Sequence, residues 1–375
     1  MTSTIPTADP DTIAVGELVD LAASGARDAD EDGDLPAGAA EAIAAAGFAR
    51  HYVPARFGGH EGTVAEMTRA VAEVGEACTS TAWCAAMFGY AARFATHLPE
   101  RAQAEAWADG PDALWVSGLV PAGAASAVDG GYRVEGRWTW VSGAEHADWA
   151  ILAGPVPGPD APAPMFMAVP RSDFRVERTW DAVGMRATGS HALVVDGAVV
   201  PEHRTVPLPS VLGGRNDVSD VAQHNLPLPA VGGVTCAPAA LGAARAALTA
   251  AAAIVRGKPG AAGTGAGTAS ADMAIARAAV RVDTAQMLVE RAADVLDAGE
   301  GRSSLGVRNA RDCAHAADLL TEAVGDLMSS AGTSAQHRGS ALQRAWRDVT
   351  VAASHAALRF EKPAAAWTAG LIGRD

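Results

Sequence analysis

The spacing of apolar residues changes period twice along this 375-residue chain, and that order restricts the fold more than any single motif. From residue 13 to about 98, apolar positions recur at helical spacing. Val15, Leu18, Val19 and Leu21 open one amphipathic segment. Segments 39–47, 65–74 and 82–94 continue the pattern, and Pro99 stops it. A turn-rich break at 53–59, Val-Pro-Ala-Arg-Phe-Gly-Gly, interrupts them. Near residue 114 the period falls to two. Tyr132, Val134, Trp138 and Trp140 alternate with Arg133, Glu135, Arg137 and Thr139, which predicts a half-buried strand. Asp129-Gly130-Gly131 before it suits a hairpin turn. Further short strands are predicted over 149–153, 165–169, 174–179, 192–195 and 198–200. A connection rich in Pro, Ser and Asn at 206–229 leads back to helical spacing. Four apolar stripes follow: Leu241/Leu248/Val255, Ile275 to Leu296, Cys313 to Leu327, and Leu342/Trp346/Val349/Ala353/Phe360. They predict four long helices packed as a bundle.

The expected class is therefore α+β. A loose tail (1–12) precedes an N-terminal helical domain (13–112), a small central β-barrel or sandwich (113–210) and a C-terminal four-helix bundle (211–375). At about 150 residues per domain, the length suits two or three such units. No β-α-β alternation is present, which argues against a doubly wound nucleotide fold. Gly263-Thr264-Gly265-Ala266-Gly267 has the wrong spacing for G-x-G-x-x-G and follows no strand, so 257–267 reads as a flexible loop. Twenty-nine basic against 43 acidic side chains leave a net charge of −14. That argues against nucleic acid or an anionic membrane as partner, since phosphate binding runs on Lys and Arg. Four scattered cysteines form no C-x-x-C pair and no His spacing suggests a metal, so neither a metal site nor a disulfide framework is expected. The N-terminus lacks the basic and apolar regions of a signal peptide, and Ala-rich runs such as 246–255 are short for a membrane span. A cytoplasmic protein is expected.

Several stretches carry a resemblance to a known family. Trp138-Thr139-Trp140-Val141-Ser142-Gly143 with Ala147-Asp148-Trp149 resembles the W-x-x-x-S-G…A-D-W segment of the acyl-CoA dehydrogenase superfamily. Gly184-Met185-Arg186-Ala187-Thr188-Gly189-Ser190 with Val200-Pro201 resembles its G-M-R-x-T-G-S…V-P strand, and Val53-Pro54 with Gly58-Gly59 its V-P-x-x-x-G-G turn. Ser80-Thr81-Ala82-Trp83 and Leu342-Gln343-Arg344-Ala345-Trp346-Arg347-Asp348 resemble S-T-A-W and L-Q-R-x-W-R-D, which point to the group D flavin-dependent monooxygenases. The resemblance runs from about residue 15 to about 370. It implies a homotetramer of α–β–α subunits holding flavin between the β-domain and the bundle. It further implies reduced FMN or FAD delivered by a separate reductase, molecular oxygen as co-substrate, and a flavin C4a-hydroperoxide that hydroxylates an aromatic ring or an amine.

The same resemblance assigns residues. Ser142 stands where the family places a hydroxyl at flavin N5, and Trp140 would cover a face of the ring. Ser117-Gly118-Leu119 would run beside the pyrimidine edge. Thr188 and Ser190 offer hydroxyls around a glycine, and Arg347-Asp348 belong to the cofactor-binding motif. Trp83, Met87 and Tyr90 would face the substrate. His355 lies seven residues after Asp348, so on one helix the two would share a face. It occupies the neighbourhood of the carboxylate base of the dehydrogenases, and an imidazole suits a hydroxylase because it exchanges protons near neutral pH. Ser142 and His355 are thus the expected catalytic pair.

Departures from the pattern define the alternatives. No carboxylate follows Asp348 until Glu361, and none lies within 226–233. This weighs against the second reading, an acyl-CoA dehydrogenase-type desaturase or oxidase with bound FAD. The third reading is a scaffold that has lost flavin; Trp140, Ser142 and Arg347-Asp348 weigh against it. After Trp83 no histidine occurs until His97, where phenol hydroxylases of this branch carry one, and Arg256 lacks the aromatic partner of the dehydrogenases. The choice between FMN and FAD stays open on that account.

Overall fold

The computed structural model describes residues 13–158, 161–257 and 266–373. The expected tail at 1–12 and most of the glycine-rich stretch at 257–267 lie outside them. The first helices are α1 (Gly16–Asp32), α2 (Ala39–Ala45), α3 (Val64–Ala77), α4 (Thr79–Ala95) and α5 (Glu100–Ala106). Then come β1 (Trp115–Gly118), β2 (Ala124–Val128), β3 (Gly131–Val141), β4 (Trp149–Val156), β5 (Ala163–Pro170), β6 (Arg175–Glu177), β7 (His191–Pro201) and β8 (Thr205–Pro207). The chain ends in α6 (Leu208–Leu212), α7 (Leu228–Arg256), α8 (Ala266–Asp297), α9 (Ser304–Ala331), α10 (Ala341–Ala353) and α11 (Glu361–Ile372).

The strands form two sheets, ordered β1-β4-β5-β8 and β2-β3-β7-β6. β4 shows why the first is nearly all apolar. Ile151 and Ala153 pack with Phe94, Trp107 and Trp115 toward the N-terminal helices, while Ala150 and Leu152 join Val134, Trp138 and Leu193 of the second sheet. A strand covered on both faces has no need of alternation. The strands predicted separately at 192–195 and 198–200 are one strand, β7, whose Gly197 bends without ending it. β2 and β8 carry no readable period. In β3 the alternation holds through Trp138 and then breaks. The register slips between Trp138 and Val141, Trp140 takes φ +59° and is 71% exposed, and Val141 is buried in its place.

α7 runs through the middle of the bundle, packed against α3, α8, α9 and α10. It is long and apolar enough to cross a membrane, which the Ala-rich run alone does not suggest, but half of its most apolar window is buried inside the protein. Its approach to α3 is close. A Cβ on Gly242 would lie 2.2 Å from the Ala72 carbonyl oxygen, and one on Gly75 would lie 2.9 Å from that of Ala239. Gly242→Ala must push the helices apart, and overpacking of this kind costs about 1–3 kcal/mol. A denaturation midpoint equal to the wild type's would contradict that contact. The carboxylate of Asp297, at the end of α8, accepts from Val64 and Ala65 N–H at 2.8 Å each and so caps α3 from the far side of the bundle.

Three of the buried histidines meet backbone carbonyls. His51 meets the Thr63 carbonyl at 2.8 Å, His97 that of His224 at 2.9 Å, and His224 that of Tyr52 at 2.7 Å. Burial, helped by the nearby Arg93 charge, pushes His97 and His224 down to about 4. Burial lowers His51 as well. The unfolded chain binds protons on these groups near 6.5 and the folded chain does not, so stability falls as pH drops from about 6.5 toward 4. The loss is at most about 3 kcal/mol for each of the two most shifted groups. Melting temperature should decline steadily over that interval; a flat profile would contradict neutral burial.

Candidate active site

A cavity of about 720 Å³ opens between α4, β1, the start of α7, the start of α9 and the segment after α10. Its wall is mostly apolar, and Met87, Tyr90, Ser117, Leu119, Cys236 and His355 all contribute to it. The strand geometry sorts the triplet 117–119. Ser117 and Leu119 line the cavity, while Gly118 faces the inter-sheet core, where a Cβ would lie 2.9 Å from the Trp138 indole. Gly118 is required by packing.

His355 is not on the bundle helix. α10 ends at Ala353, and His355 is extended (φ −63°, ψ 140°) at the head of a short 3₁₀ turn. Helical spacing from Asp348 therefore fails as the reason for its position. The turn itself places it: its Nδ1 accepts from the Ala357 N–H at 3.2 Å and lies 3.4 Å from the Cys236 thiol. Burial pushes Cys236 up, so it stays a thiol, and burial alone lowers His355. A neutral imidazole whose Nδ1 lone pair is taken by a backbone N–H carries its proton on Nε2. His355 thus holds a hydrogen-bond donor, not a free base, on its outer nitrogen.

Ser142 stands outside the cavity lining, in a chain of hydroxyls. Thr188 Oγ1 donates to the Met185 carbonyl at 3.0 Å, so its single hydrogen is used. It must then accept from Ser190, 2.7 Å away. Ser190 in turn accepts from Ser142 at 2.8 Å, and Ser142 accepts from Trp83 Nε1 at 3.0 Å. The order Trp83→Ser142→Ser190→Thr188→Met185 leaves Ser142 with one open lone pair and no spare hydrogen. Trp83 joins the two catalytic candidates: its ring also meets the His355 ring edge-on at 5.5 Å. It is buried and is not among the residues of the cavity wall, so in this structure it bridges the two candidates. Met87, one turn further along α4, lines the cavity instead.

Arg347 and Asp348 are spent within the chain. Arg347 grips Asp30 through two hydrogen bonds of 2.9 and 2.5 Å and donates to the Val183 carbonyl at 2.6 Å and to Gln343 at 3.0 Å. Asp348, raised to about 6 by burial, accepts from Met185 N–H at 2.5 Å. A Cβ on Gly184 would lie 2.4 Å from Arg347 backbone. The G-M-R and R-D stretches therefore clamp the second sheet to α10 and α1, and the side chains of Arg347 and Asp348 make their hydrogen bonds within the chain. Cys236 carries no sequence signal, because only the fold brings it to His355.

Comparison with known proteins agrees with this architecture. Residues 17–109 match the model of the acyl-CoA dehydrogenase N-terminal domain, and 234–360 that of an acyl-CoA dehydrogenase C-terminal domain. The chain is 32% identical to the oxygenase component of an FADH(2)-dependent resorcinol hydroxylase from a Rhizobium species, over 92% of this chain and 90% of that protein. It is 30% identical to the HsaA oxygenase subunit of a flavin-dependent monooxygenase from Rhodococcus jostii, over 90% and 92%. The crystal structure of a 3-HSA hydroxylase from Rhodococcus sp. RHA1 superimposes with TM-score 0.89 at 27% identity, covering 98% of both chains. XiaF from a Streptomyces species, solved with FADH2 and glycerol, gives 0.87 at 30% identity over 96% and 94%. Helices, paired sheets and a long bundle closed around one apolar cavity make this an acyl-CoA dehydrogenase-fold protein. Within that superfamily, the chain belongs to the oxygenase components of the flavin-dependent monooxygenases.

Proposed function

We propose that the chain hydroxylates an aromatic or amine small molecule, drawing on reduced flavin from a separate reductase and on molecular oxygen. The observation that carries this reading is the ordered hydroxyl chain that starts at the Trp83 indole, whose ring meets His355 edge-on. A reduced isoalloxazine bears an N–H at N5, whereas an oxidised one bears a bare nitrogen. Ser142 has a lone pair to receive that N–H and no hydrogen to offer the bare nitrogen. Trp140, held outward by its left-handed backbone, has an exposed indole face to lay against a ring. The residues present fit a reduced flavin. Ser142, Trp140 and the backbone of 117–119 would hold it, and bound there it would supply the activation of oxygen. The chain's own part is to exclude water with Met87, Tyr90 and Leu119, to keep Ser142 as an acceptor, and to present the Nε2 proton of His355.

The dehydrogenase reading needs a carboxylate base, and no Asp or Glu is among the residues of the cavity wall. Chemically reduced FAD or FMN, added without any reductase, should support oxygen uptake and transfer of labelled oxygen into an aromatic acceptor. Purification with stoichiometric oxidised flavin and no oxygen transfer would refute the proposal. A homotetramer belongs to the same reading. It is supported by Met273, Val280 and Met287, which lie seven residues apart along α8 and are 51%, 65% and 70% exposed. Light scattering should give a mass four times that of the chain.

A further inference from the structure

We propose that the cavity takes an anionic aromatic substrate whose carboxylate docks on the Nε–Nη2 edge of Arg93. This rests on the reading of the cavity as a substrate site and adds the class of substrate.

Arg93 belongs to the cavity wall, on α4, and its side chain is fully buried. Nη1 donates to the carbonyls of Gln223 at 3.3 Å and Leu226 at 3.1 Å, which ties the segment before α7 to α4. Nε and Nη2 have no hydrogen-bond partner, and among the described residues Arg93 has no carboxylate partner. A buried guanidinium with an unmet edge is costly, because its N–H groups have left water without a partner. A purely structural role would be served by Nη1 alone. The unmet atoms form the side of the guanidinium that grips a planar carboxylate with two parallel hydrogen bonds. Tyr90, also on the wall, has a buried hydroxyl that faces the Tyr52 hydroxyl. Burial pushes its pKa up to about 12, so it stays a neutral donor.

The charge of the wall points the same way. The protein as a whole carries −14, yet the ionisable residues of the wall with fixed charge are Arg93, Arg302 and Lys362, with no acid among them. Arg302 is already used on the Gly214 carbonyl, and Lys362 is exposed on α11. Arg93 is the buried cation of the three. His97 and His224 sense its charge, which adds to the burial that keeps both neutral.

The test uses the flavin-free full-length protein and two bicyclic probes of one shape, naphthalene-2-carboxylate and naphthalene-2-carboxamide. Calorimetry should show the carboxylate binding at least tenfold more tightly. Arg93→Met should remove that preference, and Arg93→Lys should retain part of it. Equal binding of the two probes by the wild type would overturn the proposal, and this arm does not depend on any variant folding. Survival of the preference in a folded Arg93→Met protein would overturn it too. So would displacement of the carboxylate by reduced FMN but not by reduced riboflavin, which would assign Arg93 to a flavin phosphate. No oxygen chemistry enters, so failure here leaves the monooxygenase reading standing.

Discussion

Replacement of His355 by alanine is expected to lower hydroxylation by about 10²-fold or more, the usual scale for a positioned proton donor. The fold should tolerate the change. His355 follows the end of α10, its side chain faces the cavity, and its polar contacts are one backbone N–H and one thiol. The effect comes from the outer nitrogen. The imidazole's pKa lies below its ordinary value, which leaves it neutral at pH 7, and the Ala357 N–H fixes the tautomer. His355→Gln places an amide donor near the same point and should recover part of the rate. The sign of the pH dependence follows from the lowered pKa. The neutral donor form is present above the folded pKa, which lies below the ordinary 6.5, and it is lost as pH falls through it. The wild type should therefore show an acid limb that His355→Ala lacks. Equal turnover with an unchanged acid limb would remove His355 from the mechanism.

Replacement of Ser142 by alanine should uncouple oxygen use from hydroxylation. The variant loses the lone pair offered to a reduced ring. It also leaves the Trp83 indole N–H without its acceptor and Ser190 without its donor. A lost buried hydrogen bond of this kind is worth about 1–3 kcal/mol, or roughly 5- to 150-fold in the partition between product and peroxide. Hydrogen peroxide released per oxygen consumed should rise accordingly, while Ser142→Thr, which keeps the hydroxyl, should stay close to the wild type. Unaltered coupling in Ser142→Ala would contradict the role given to the hydroxyl chain.

Much of this architecture is legible in the chain because periodicity is a local property. The switch from helical spacing to alternation at Tyr132 and back after Pro238 reports which faces are buried, and the structure's element order follows it. Trp140 shows the limit. Alternation puts it on the same face as Trp138, but a register slip turns it outward, and a bulge leaves no trace in a hydrophobic pattern. Resemblance puts His355 near the site, while its position on a turn depends on where α10 ends. Arg347 and Asp348 are assigned to the cofactor by resemblance alone; only the tertiary structure shows Asp30 and Met185 as their partners. Cys236 and Arg93 were silent for a related reason. Each gains meaning from a neighbour more than 100 residues away, His355 in one case and the Leu226 carbonyl in the other.

The central claim is that a reduced flavin ring lodges where Ser142, Trp140 and Trp83 meet the cavity that His355 closes. Crystals grown without oxygen in the presence of reduced flavin test it most directly. Density for the ring with its N5 within hydrogen-bond distance of Ser142 Oγ, and its neighbouring carbon facing the His355 side of the cavity, is the predicted result. A ring bound elsewhere, or a Ser142 hydroxyl still enclosed by protein with no ring atom near it, would contradict the account.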